Sequence, residues 1–197
     1  MIERCQIYGE ADSSNYEKKL MNVHRRHQSS DTPLYRWVLF AAFSAYVVWL
    51  IFFYRYHFID NVNLVFHEAG HIFLTPLGRT LHFLGGTIGQ LVFPVVVAIY
   101  FWRDGKYFEA SVSGIWLGES ILYMAEYMGD AVDQVLPLVG GGVHDWNFLF
   151  SQWGVLQKTD ALSGFFHCIG SLFLLTSLIV MYRHRQVKIN SLLDGIE

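Results

Sequence analysis

Three stretches of this chain are long, apolar and free of formal charge: Trp37 to Tyr54, Thr80 to Trp102 and Ala161 to Tyr182, with His82 and His167 their only groups titrating near neutrality. A helix needs about 20 mainly apolar residues to cross a bilayer. Inside it, every backbone polar group must find its partner within the segment or a neighbouring one. Such blocks leave an all-α integral membrane protein as the expected fold class. A fourth run, Phe108 to Met128, carries Glu119 and Glu126, and carboxylates at that depth face a protein interior or a wet cavity. Only 16% of the 197 residues are charged, against roughly 25% in a soluble domain. The net charge of −3 gives no reason to expect a nucleic-acid partner. Cys5 and Cys168 lie in one polar and one apolar segment and define neither a disulfide framework nor a CxxC zinc site.

Residues 1–34 read as a polar cytosolic arm without signal-peptide shape, residues 35–185 as the membrane-embedded domain, and residues 186–197 as a cytosolic tail. The segment Asn61 to Leu77 decides the topology, because its apolar run is short and is followed by Pro76 and Gly78. Without a crossing there, four spans leave eleven of the fourteen Lys and Arg on the side of both termini. With one, five spans weaken the split to eight against six. The positive-inside rule favours four transmembrane helices plus a short re-entrant or interfacial helix, with termini in the cytoplasm and a plasma or inner membrane as the expected location. Asp145 to Leu156 reads as a second interfacial helix, N-capped by Asp145.

Residues 67 to 71 are His-Glu-Ala-Gly-His. Positions i and i+4 share a helix face, so His67 and His71 can hold one Zn²⁺ with room for a third ligand and a water. Glu68 can serve as general base toward that water. Two histidines and a glutamate in an apolar segment would otherwise carry an uncompensated desolvation cost.

HEAGH within an apolar segment resembles the membrane-embedded zinc metalloproteases, above all the site-2-protease type. The resemblance is firm over five residues and loose over the span layout. It implies peptide-bond hydrolysis in or beside the bilayer, with His67 and His71 as zinc ligands and Glu68 as base. In that family an Asp-Gly pair opening a later helix supplies the third ligand. Here Asp104-Gly105 and Asp194-Gly195 both fall on the cytoplasmic side of a four-span chain, away from an active site facing outward, and a separate small family is expected.

Candidates for the third ligand follow from position. Glu119, Tyr123, Glu126 and Asp130 share one helix face, and Asp130 stands at its outer end. Glu126-x-x-x-Asp130 is also similar to the ExxxD helix of some membrane zinc proteases, where the Glu is the ligand. His144, after Gly140-Gly141-Gly142-Val143, is either a third ligand or a protonated imidazole stabilising the oxyanion, with Asp145 orienting it or capping the next helix. The expected set is His67, His71 and Asp130 on the metal, with Glu68 and His144 catalytic; His144, Glu126 and Glu119 remain open as ligands. Gln90 suits helix packing or a substrate backbone, and Tyr123 packing or a cavity hydrogen bond. The expected function is a zinc metalloprotease acting on a membrane protein or membrane-proximal peptide. A membrane-surface zinc amidase or lipid hydrolase, and a non-catalytic metal-binding membrane protein, are the alternatives.

Overall fold

The computed structural model describes residues 33–139 and 142–186. Most of the N-terminal arm, most of the C-terminal tail, Cys5, Asp194-Gly195 and two glycines of the run before His144 lie outside the described residues. Six α-helices and no strand occur among the described residues: α1 (Leu34–Phe53), α2 (Phe58–Leu74), α3 (Arg79–Arg103), α4 (Tyr107–Gly129), α5 (Asp145–Trp153) and α6 (Thr159–Arg183). Three of them, α1, α3 and α6 with the turn before it, are long and apolar enough to cross a membrane. Val38–His184 forms one compact unit. The residues flanking it group separately, and there the Arg185 guanidinium lies 4.7 Å over the Trp37 ring.

Thirteen of the 23 residues of α4 are buried, which makes it the central post of the bundle. Its partners approach through small residues. A Cβ on Gly118 would meet the Leu174 side chain at 2.7 Å, and one on Gly170 would meet Leu122 at 2.9 Å, so α4 and α6 pack antiparallel at short range. With no hydrophobic force between helices in lipid, such seams supply van der Waals contact, and interhelical hydrogen bonds add to it. Ser163 Oγ donates to the Ala125 carbonyl at 2.8 Å, and His167 donates through Nε2 to the Ile51 carbonyl at 3.1 Å. The latter satisfies an acceptor in the last turn of α1, where no intrahelical donor remains.

The HEAGH segment lies on α2. Gly70 and Gly85 bring the α2 and α3 backbones into direct contact, since a Cβ on either would overlap the other's carbonyl. Farther along, Phe66 stacks on Phe93 at 4.0 Å. These pairings make α2 antiparallel to α3. The contacts Phe40–Tyr182 and Ile51–His167 make α1 antiparallel to α6, and Gln90–Ser120 with Trp102–Tyr107 make α3 antiparallel to α4. It follows that α2 runs in the same sense as α1, from which a four-residue link separates it. Neither lying across the bundle nor doubling back within itself, α2 packs lengthwise on α3. The reversal comes at Thr75–Gly78, where Pro76 sits in a 3₁₀ turn and Gly78 takes φ +102°, a value that favours glycine.

Candidate metal centre

Sequence spacing puts His67 and His71 one turn apart on α2, and their rings meet at 4.7 Å between centroids. Each ring is fixed through Nδ1. His67 Nδ1 lies 3.0 Å from Gln90 Oε1, and His71 Nδ1 lies 2.7 Å from the His82 carbonyl. The Gln90 amide is oriented in turn, because its Nε2 donates to the Ser120 carbonyl at 3.1 Å. Turned over, it would set oxygen against oxygen. Both Nδ1 atoms therefore face acceptors and must carry the hydrogen.

That leaves both Nε2 atoms for one target. Asp145 Oδ2 lies 2.9 Å from His67 Nε2 and 3.2 Å from His71 Nε2. An unprotonated Nε2 and a carboxylate oxygen are both acceptors, so the arrangement needs either a second proton on each ring or a cation among the three atoms. The separations suit the cation: zinc bonds of about 2.0–2.1 Å in a tetrahedron set ligand atoms about 3.3 Å apart. A ring nitrogen held by a carbonyl or amide oxygen is the outer-shell arrangement that metal-bound histidines show. His67, Asp145 and Gln90 are all buried. With no cation present, burial pushes the Asp145 carboxyl up, and hydrogen bonds from doubly protonated His67 and His71 outweigh it and hold the group below the usual carboxylate range.

The neighbouring glycine is part of the construction. A Cβ on Gly86 would collide with the His67 imidazole, so this position on α3 makes room for the ring. Tyr127 closes another side, with its ring 5.9 Å from His67 and its hydroxyl accepting from the Asp145 N–H at 3.2 Å. The hydroxyl hydrogen of Tyr127 is left to donate elsewhere. Glu68 is half-buried on α2, close enough to His71 for its charge to act on that ring.

Among the described residues, the donor atoms drawn together around the HEAGH pair come from His67, His71 and Asp145. Asp130 is placed elsewhere: its carboxylate accepts from the Val135 and Leu136 N–H groups at 2.8 and 3.0 Å and closes the loop after α4. It stands at the C-terminal end of α4, and the loop's backbone donors take up both oxygens. Glu126, on the same stripe, is exposed. Glu119 is buried in a different polar cluster with Asp60 and His57.

His144 and Asp145 have exchanged the roles expected of them. His144 is the N-cap of α5, its Nδ1 accepting from the Asn147 N–H at 3.2 Å, while Asp145 occupies the first helical position and turns its carboxylate to the histidine pair. The His144 ring stacks on Tyr127 at 4.2 Å and has its Nε2 3.4 Å from Asp130 Oδ2. Burial lowers its pKa against the pull of Asp130 and Asp145. The contacts of His144 thus lead to the cap of α5 and to the loop after α4.

No family model, curated protein or solved structure matches the chain.

Sequence reasoning named the His144-Asp145 pair and gave His144 the place near the metal; the carboxylate that lies against the histidine pair is that of Asp145. The signal that separates them is helix capping: a residue at the cap points its side chain back along its own helix, and the next residue is free to point away. Gly86, Gln90 and Tyr127 carry no spacing signature and become visible only through the packing of α3 and α4 on α2.

Proposed function

We propose that this chain is a zinc-dependent membrane metalloprotease in which His67, His71 and Asp145 hold the metal and Glu68 is the general base. The observation that carries this reading is the convergence of two Nε2 atoms on one carboxylate oxygen, with both Nδ1 atoms tied to fixed acceptors. Two histidines and a carboxylate form the ligand set of catalytic zinc sites that keep one position open.

When bound, zinc supplies Lewis-acid polarisation of a carbonyl and lowers the pKa of water toward about 7. Glu68 takes the proton of the attacking water and returns it to the leaving amine nitrogen. Gln90 and the His82 carbonyl keep both rings in the Nδ1–H form, so that each Nε2 lone pair stays aimed inward. Tyr127, with its hydroxyl anchored on the Asp145 N–H, donates to the carbonyl oxygen as charge builds there, the role the sequence assigned to His144. Four crossings accompany this reading: α1 continued by α2, then α3, α4 and α6. Both termini lie on the cytoplasmic side, and α5 caps the site at the outer face. The substrate is a membrane protein or membrane-proximal peptide, presented extended because a helix hides its scissile bonds.

The test is cleavage of a membrane-anchored reporter peptide by purified protein in vesicles, alongside zinc content. Wild type is expected to hold zinc and cleave, and Glu68→Gln to hold zinc without cleaving. Equal cleavage by the two proteins removes the reading. Zinc retention with no cleavage by either leaves a non-catalytic metal protein.

A further inference from the structure

A second polar cluster lies one to two turns before His67 on the same face of α2, and nothing above uses it. Asp60 and Asn63 of α2 and Glu119 of α4 are each wholly buried. One donor atom from each of His57, Asp60 and Glu119 falls within 4.8 Å of the other two. His57 Nδ1 lies 2.8 Å from Asp60 Oδ2 and 3.0 Å from the Arg55 carbonyl oxygen. The second observation concerns Glu119. Its Oε2 accepts from Asn63 Nδ2 at 2.8 Å, while the buried Oε1 has no hydrogen-bond partner among the described residues. A buried carboxylate oxygen without a donor costs the full desolvation of that atom, and two carboxylates side by side in an apolar interior repel.

We propose that His57, Asp60 and Glu119 form a second cation site, separate from the HEAGH centre, that takes a divalent transition-metal ion. One imidazole with two carboxylates is a donor set suited to such ions, and the ion would take the place of the proton that the paired Asp60 and Glu119 carboxyls otherwise need. The supporting shell is present. Tyr54 donates to Asp60 Oδ1 at 2.5 Å, the Tyr46 hydroxyl meets His57 Nε2, and Asn63 is held by Trp116 Nε1 and Ser120 Oγ at 2.8 and 3.0 Å. These contacts fix the ligands as outer-shell hydrogen bonds do in known metal sites. Entry is open through His57, whose side chain is 18% exposed. The site also touches the first one through a chain of hydrogen bonds: Glu119 to Asn63, Asn63 to Ser120, and the Ser120 carbonyl to Gln90, which holds His67.

The experiment is metal stoichiometry by plasma mass spectrometry on untagged full-length protein in detergent, stripped with chelator and reloaded by dialysis against Zn²⁺, then repeated with Mn²⁺. Two zinc ions per chain are expected for wild type, one for Glu119→Gln, one for His67→Ala and none for the double variant. A single ion that His67→Ala removes and Glu119→Gln keeps overturns the second site and leaves the protease centre standing. A single ion with the opposite pattern overturns the protease centre and keeps the second site. Should Glu119→Gln fail to fold, one ion in wild type that His67→Ala removes still overturns the proposal. Manganese retained at one ion per chain in His67→Ala is the further result expected of the carboxylate-rich site.

Discussion

Gly86 on α3 is placed where a single added methyl group would occupy the volume of the His67 imidazole. The ring cannot give way easily, because Gln90 and Asp145 fix its two nitrogens. Gly86→Ala is therefore expected to weaken zinc binding by at least about tenfold, the lower end of what disturbing a ligand's support costs. Helix content by circular dichroism should be unchanged. Zinc titration against a chromogenic chelator measures the first quantity, and undiminished affinity would mean that His67 has no part in holding the ion.

Asp145 and Asp130 make a discriminating pair. Asp145→Asn is expected to lose zinc by more than about a hundredfold, beyond the loss from outer-shell changes. Asp130→Asn keeps the metal but loosens the loop it closes, lowering thermal stability by about 1–3 kcal/mol through two weakened charge-assisted hydrogen bonds. Metal content and melting temperature of the two variants separate the roles, and the reverse pattern would restore Asp130 as the ligand.

Gln90 acts through His67. Gln90→Ala removes the Nδ1 acceptor, and about a 10–100-fold drop in zinc affinity follows. Gln90→Glu retains an acceptor toward His67 but sets its second oxygen against the Ser120 carbonyl, so it should recover only part of that loss. A merely space-filling side chain would show no such difference between the two.

Protons compete with the metal for both imidazoles. Zinc affinity is therefore expected to fall as the pH is lowered, by up to about a hundredfold per pH unit where two protons are displaced. Isothermal titration in buffers of different ionisation heat, repeated at successively lower pH, counts the protons released, and a count that stays at zero where the affinity should fall would exclude imidazole ligation.

Tyr127→Phe removes a hydroxyl and leaves the zinc ligands untouched. Cleavage of the reporter peptide should slow by about 10²-fold, the cost of one lost oxyanion donor, at unchanged zinc content and with a larger effect on kcat than on KM. His144→Ala, by contrast, is expected to act on stability, since it removes a helix cap, at about 1 kcal/mol.

The helical fold and three membrane-length helices were legible because apolar blocks of that length have few folded solutions. That His67 and His71 stand together on one helix face was legible from their spacing of four. What the sequence could not place was anything that depends on how one helix is turned against another. Asp130 had the right depth and Asp145 had the right direction. Only the first turn of α5, with His144 taken as its cap, decides that direction. The HEAGH helix was likewise expected to return or lie flat because its apolar run is short. Its glycines let it lie lengthwise on α3, a pairing that the length of an apolar run does not announce.

The backbone-on-backbone seam between Gly70 and Gly85 also determines which wall of the site can move. With no side chains in that joint, there is nothing to repack, and α3 holds both histidines, His71 through its main chain and His67 through the Gln90 side chain. The opposite wall is Asp145, at the head of a nine-residue helix that the Tyr127 hydroxyl and the Ala131 carbonyl hold through the Asp145 N–H and the Asn147 side chain. Under the proposed function, room for a polypeptide is to be found on that side, where the joint is made of side chains that can repack.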